Sequence, residues 1–309
     1  MVSDAALQPQ SIFDVIDKDG CYHISKGHSY RFQQGSLLSA DKDALWTIAS
    51  STNTDWLSKV ESNTWNTFSD IGKIRVGIKT TADNVFIGEN WLDRGEDLEL
   101  LQPLITHRNA GQIIGITQSH WQVLYTHKME NGKKVAVDLD LYPKSKKYLM
   151  QYYEQLNSRD YVKKAHRNWY EIWVPQNPDS WKHRKIVFRD IAEHPQFGID
   201  ETGAVVNGDC YWIDIGPNVF EDVIFLALAV ANSPFIEKYY DIKFNTRLYS
   251  GKRRYQSQYV EQFPIPFYDT DLAHEAVSLV KKIIADGNIS ETISYKRKLD
   301  MLVDKMFTQ

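Results

Sequence analysis

Apolar periodicity divides the 309-residue chain into a strand-rich front and a helical end. Residues 11–50 read as short strands punctuated by turns at Asp19-Gly20 and Gln34-Gly35. Residues 54–68 read as a short helix with Trp56, Leu57, Val60 and Trp65 on one face. Apolar and polar residues alternate through residues 71–78, which predicts a strand. The polar stretch 79–84 follows, and Val85-Phe86-Ile87 resumes the strand, so 71–87 reads as a hairpin-like unit with an exposed tip. Further strands are predicted at 121–125, 185–189 and 211–213. Tyr142-Pro143 opens a helix whose apolar face carries Leu149, Tyr152, Tyr153 and Leu156. Residues 221–240 read as a long buried helix broken at Asn232-Ser233-Pro234, and 271–286 and 291–307 as terminal helices. The fold class expected is mixed α/β, of the α+β kind: strand-rich, with interspersed helices and a helical C-terminus. An N-terminal strand-rich segment, 1–70, is expected to pack on a main body, 71–309, with no linker between them.

Composition narrows the setting. Nine Trp, 17 Tyr and 13 Phe suit a strand-rich core and also recognition surfaces. The two cysteines, Cys21 and Cys210, form no disulfide framework and no zinc spacing. Residues 1–10 lack the basic and apolar regions of a secretory signal. The longest apolar run, residues 223–231, is about half of what a membrane helix needs. A cytoplasmic protein with no membrane association is therefore expected. Its net charge of −4 argues against a general nucleic-acid coat. Charge is unevenly distributed, however. Residues 144–189 hold eleven basic and four acidic side chains, a net +7, and Lys252-Arg253-Arg254 forms a second knot, so a one-sided field is expected. Lysines crowd the first turn of the helix after Tyr142, against the helix dipole, which hints at a functional demand for positive charge.

Catalytic motifs are missing from the pattern. The chain has no P-loop, no Gly-x-Gly-x-x-Gly, no Gly-x-Ser-x-Gly and no histidine pair at a zinc spacing. Methyl transfer from S-adenosylmethionine to an amine needs a Gly-rich turn and a polar-Pro-Pro-aromatic motif. Asn177-Pro178-Asp179 has neither the second proline nor the aromatic. Asp138 and Asp140 near Lys144, and Asp241 near Lys243, are weak candidates for a magnesium nuclease.

An ordered set of motifs resembles the TaqI-like C-terminal specificity domain, the target-recognition part of adenine-N6 DNA methyltransferases and restriction-fused relatives. Residues 77–87 resemble that family's Gly-Ile-x-Thr-Gly-x-Asn-x-x-Phe signature, with Thr81 in place of the glycine. Leu104-Ile105 with Arg108-Asn109 resembles the next element. Tyr142-Pro143-Lys144, Tyr148-Leu149, Leu156 and Arg159 resemble a Tyr-Pro-helix-Leu-x-x-Arg stretch. Trp169-Tyr170-Glu171, Lys185-Ile186-Val187, Ala231-Asn232-Ser233, Phe263-Pro264-Ile265-Pro266 and residues 299–307 complete a match over roughly 60–307. The resemblance implies a module that recognises double-stranded DNA beside a methyltransferase catalytic domain or subunit. S-adenosylmethionine would belong to that partner, with no cofactor, metal or catalytic residue in this chain. The chain is then a fragment, a separate specificity subunit or a stand-alone descendant. Lys79, Thr80, Thr81, Asn84, Arg108 and Asn109 are the candidates to read bases. Lys144, Lys147, Arg159, Arg189, Lys252, Arg253 and Arg254 are the candidates to hold phosphates, and Tyr255 to stack. Thr81 is expected to change the turn, since a β-branched residue resists positive φ. A protein-interaction module that has lost DNA binding and a magnesium-dependent nuclease stand as alternatives.

Overall fold

The computed structural model describes residues 21–309 apart from 25–27, 32–34, 38–47, 93–96, 112–119, 245, 247, 249 and 287–288. Two four-stranded sheets organise it. In the first, Phe197–Asp200, Lys185–Arg189, Cys210–Ile215 and Gly72–Val76 lie side by side, every neighbour antiparallel. In the second, Val205–Val206 pairs in parallel with Leu101–Ile105, which continues antiparallel to Trp121–Leu124 and then Ile87–Glu89. The fold is mixed α/β, as the patterning predicts.

Successive side chains of a strand point to opposite faces, and both faces of the first sheet are covered. Ile74, Ile186, Phe188 and Ile213 enter a core built with Ser51–Ser62, Glu221–Ala231, Pro234–Lys243, Asp271–Asp286 and Ile289–Thr308. Val187, Cys210 and Trp212 enter a second core, shared with Val85, Phe86, Leu104, Val123 and Val205 of the other sheet and its flanks. Double coverage is why Lys185–Arg189 reads as an apolar run rather than an alternation. It also explains Glu221–Ala231, where residues 223–231 are all buried and the helix can be apolar around its circumference.

The break predicted at Asn232-Ser233-Pro234 is present. The Asn232 amide donates to the Leu228 and Phe197 carbonyls at 2.8 and 2.9 Å and accepts from Phe197 N–H at 3.0 Å, so a buried polar side chain is fully bonded. Pro234, without an N–H, then begins the next helix. Lys185, counted in the basic run, is a core residue. Its Nζ lies 2.7 Å from Asp200 Oδ2, both side chains are wholly buried, and Nζ also donates to the Trp181 carbonyl at 2.7 Å.

Other expectations are corrected. The helix expected over 54–68 occupies Ser51–Ser62, and Trp65 lies in a strand, Thr64–Thr67, paired with Pro264–Pro266. The hairpin expected over 71–87 does not form. Gly72–Val76 and Ile87–Glu89 belong to different sheets, because Val85 and Phe86 are drawn into the second core on a single helical turn, Asp83–Phe86. The turn at Asp19-Gly20 and residue Gln34 lie outside the described residues. No helix among the described residues is long and apolar enough to cross a membrane.

Candidate functional site

The loop at 79–84 leaves the first sheet under tight backbone control. Gly77 N–H donates to Cys210 O at 2.9 Å, Ile78 N–H to Val206 O at 2.8 Å, and Lys79 and Val174 exchange two bonds of 3.0 Å. Position 77 must be glycine, since a Cβ there would lie 2.1 Å from the Asn207 carbonyl oxygen. Thr80 is buried; its hydroxyl accepts from Ala82 N–H at 3.1 Å and donates to the Asp83 carboxylate. Thr81 is exposed at φ 59°, so the left-handed turn expected of a glycine is kept despite the β-branch, at a cost of roughly 1–2 kcal/mol. The expected change of turn does not occur. Lys79 and Asn84 point to solvent, Asn84 accepting from Gln155 Nε2 at 3.1 Å.

A second loop, 106–110, faces the first. Asn109 is buried and spends its Oδ1 on Thr106 N–H at 2.7 Å, which closes the turn from within. Arg108 is exposed, with its guanidinium carbon 5.0 Å from the Trp121 ring centroid. The third component is Asn207-Gly208-Asp209, where the chain crosses from the second sheet to the first. Asp209 Oδ2 lies 2.5 Å from His107 Nδ1. These segments enclose a cleft of about 300 Å³ lined by Asp83, Asn84, His107, Arg108, Trp121 and Asn207 among others. Of the base-reading candidates, Asn84 and Arg108 share this cleft; Thr80 and Asn109 shape the loops from inside.

Two arginines expected on phosphates instead brace these loops. Arg159 donates to the carbonyls of Thr80 at 3.0 Å, Trp169 at 2.6 Å and Leu156 at 2.8 Å, and its guanidinium lies over Phe86 and Tyr161. Burial draws its pKa down. Arg189 donates to the Ala110 carbonyl at 3.2 Å, at the end of the second loop.

The basic run is largely neutralised by acids. Lys144 pairs with Asp97, Lys146 with Asp140, Lys164 with Asp160, Arg167 with Glu171, and Arg184 with Glu201 and Glu221, in addition to the buried Lys185–Asp200 pair. The lysine-rich start of the helix Pro143–Met150 also has a structural answer. Glu99 accepts from Lys144 N–H at 3.0 Å and Ser145 N–H at 2.8 Å, capping the helix. Slight burial raises the Glu99 pKa, but the Ser145 hydroxyl and those N–H groups outweigh it and bring it to about 2. Lys147 stays exposed without an acidic partner among the described residues.

The 252–255 segment turns inward. Arg253 is buried, held by Asp241 through two bonds of 2.9 and 2.7 Å, by Glu237 at 3.0 Å and by the Glu193 carbonyl at 2.7 Å. Arg254 pairs with Asp190 at 3.1 Å. Tyr255 is fully buried among Phe197, Tyr240 and Phe263, so it has no free face for stacking. Lys252 remains exposed. The nuclease candidates are similarly engaged. Asp241 holds Arg253, Asp140 holds Lys146, and Asp138 accepts from Asp140 N–H at 3.1 Å. Sequence reasoning missed His107, Trp121, Gln155, Asn207 and Asp209. Only Asn207-Gly208 offered a local signal, as a turn dipeptide.

Residues 130–265 match the TaqI-like C-terminal specificity domain; they include the 207–209 turn, while loops 79–84 and 106–110 precede them. The chain is 33% identical over 314 residues to the type II methyltransferase M.BanIII of Aneurinibacillus aneurinilyticus, covering 99% of this chain and 54% of that protein. It is 26% identical over 195 residues to M.PaeR7I of Pseudomonas aeruginosa, covering 63% of this chain and 32% of that one. It is 24% identical over 230 residues to M.BstVI of Geobacillus stearothermophilus, covering 72% and 38%. The chain thus spans about half or less of the length of these curated relatives. Among solved structures it resembles the Type IIL restriction-modification enzyme MmeI, solved in complex with DNA. The TM-score is 0.55 at 14% identity, covering 80% of this chain and 34% of that one, which shows a common fold. The chain is therefore similar over nearly its whole length to about half of a type II methyltransferase, and its residues 130–265 resemble the TaqI-like C-terminal specificity domain.

Proposed function

We propose that this chain recognises a sequence in double-stranded DNA, as the target-recognition module of an adenine-N6 methyltransferase or restriction-modification enzyme. The observation that carries the reading is the cleft between loops 79–84 and 106–110. It presents Asn84 and Arg108 on backbones pinned by Gly77, Arg159 and Arg189. A rigid loop with a few polar side chains is what reading base edges requires, and arginine and asparagine suit guanine and adenine. Lys79, Lys147 and Lys252 are exposed and suit the backbone phosphates. S-adenosylmethionine and the methyl-transfer chemistry would belong to a separate catalytic domain or subunit.

The test is equilibrium binding of the chain to a duplex library at two salt concentrations. Affinity is expected to fall steeply with salt and to differ among sequences. Asn84→Ala or Arg108→Ala should change the preferred base at one position by about tenfold, whereas Lys79→Ala with Lys147→Ala should weaken all duplexes about equally. Pairing of six of the eleven basic residues with acids favours the second reading, a protein-interaction module. Absent or salt-insensitive DNA binding would select it.

A further inference from the structure

We propose that His107, held by Asp209, reads a nucleobase edge by accepting a hydrogen bond from an exocyclic amine. The proposal rests on the DNA-recognition reading above and names a specificity residue within that cleft. His107 sits beside Arg108 on the cleft wall, and its side chain is 54% exposed. Its Nδ1 is 2.5 Å from Asp209 Oδ2. An ionised carboxylate only accepts, so Nδ1 carries the proton, and in the neutral ring Nε2 on the other edge is a bare acceptor.

A lone surface histidine could rotate and take either tautomer; Asp209 removes both freedoms. Asp209 is itself fixed. It ends the turn between the two sheets, its carbonyl accepts from Asp190 N–H at 3.3 Å, and Cys210 N–H bonds to Asn207 O at 3.0 Å. In the major groove, the acceptor's complement is the exocyclic amine of adenine or cytosine. Arg108, steadied on Trp121, is the adjacent donor, so neighbouring residues would offer one acceptor and one donor to base edges.

The experiment recovers the preferred duplex from a randomised pool with the full chain. It then measures binding to that duplex and each single-base-pair variant, for wild type, His107→Ala, His107→Gln and Asp209→Asn. His107→Ala should flatten discrimination at one base pair by about tenfold and leave other positions and unrelated duplexes unchanged. Asp209→Asn should flatten the same position by less. A duplex whose base there lacks its amine, purine for adenine or pyrimidin-2-one for cytosine, should cost wild type about tenfold and His107→Ala nothing further. Unchanged discrimination in His107→Ala overturns the proposal. So does a uniform loss on all sequences, which would make His107 a phosphate contact, and so does a wild type indifferent to amine removal. A wild type that binds no duplex, or all duplexes alike, removes the DNA-recognition reading itself.

Discussion

Segments 79–84 and 252–255 carry comparable surface credentials: each is polar and near a glycine, the first with the single cation Lys79 and the second with Lys252, Arg253 and Arg254. In the folded chain they part. The first keeps Lys79, Thr81, Asp83 and Asn84 in solvent and buries only the groups that shape its backbone. The second sinks Arg253 and Tyr255 into the protein and leaves Arg254 on Asp190. What separates them is the company of acids. Asp241, Glu237 and Asp190 converge on the second loop, whereas Lys79 has no acidic partner among the described residues. A basic loop is a recognition surface only if the fold leaves its charges unspent.

The largest test of that contrast is Arg253→Ala. Removing a buried cation takes the guanidinium from Asp241 and Glu237, and about 3–5 kcal/mol of stability should be lost in chemical unfolding. A well-folded Arg253→Ala protein with weakened DNA binding would break the comparison. Gly77→Ala comes next. Its Cβ meets the Asn207 carbonyl, and a cost of about 1–3 kcal/mol is expected, together with a changed base preference because both cleft walls must shift.

Acid should loosen the 79–84 side. Burial pushes the Glu171 pKa up, but hydrogen bonds from His127, Asn168 N–H and Arg167, with the Arg167 charge, outweigh it and leave it about 2. A folded pKa below the unfolded value of 4.5 means that the contribution is complete above pH 4.5 and is lost as pH falls towards 2. Arg167 holds the carbonyls of Ile172 and Trp173, next to the Val174 that pairs with Lys79. Protection of the Lys79 amide against hydrogen exchange, relative to the intrinsic rate at each pH, should therefore fall across that window. Glu171→Gln should cost roughly 1–2 kcal/mol at pH 7 and flatten the dependence. Thr81→Gly is the smallest change. Relief of the positive φ is opposed by glycine's greater chain entropy, so a gain of under about 1 kcal/mol in thermal unfolding is expected.

Much of the fold was legible. The helical break at Asn232 to Pro234, the doubly buried strand Lys185–Arg189 and both terminal helices follow from periodicity and from proline's missing donor. The 71–87 hairpin failed because two strands adjacent in sequence joined different sheets, a choice made by the burial of Val85 and Phe86. Of the site, Asn84 and Arg108 were legible as polar loop residues. His107, Trp121 and Asp209 were not, since the turn at 207–209 reaches the 107 loop only after both sheets have formed.

The sequence by itself determined most of the elements, their apolar faces and the likeness of residues 130–265 to a known family, because these depend on neighbours a few residues away. Only the tertiary structure decided which cations remain available. Lys144 meets Asp97 across 47 residues and Arg254 meets Asp190 across 64. A charge's environment is set by whatever the fold brings within a few ångströms, and local composition carries no information about that partner.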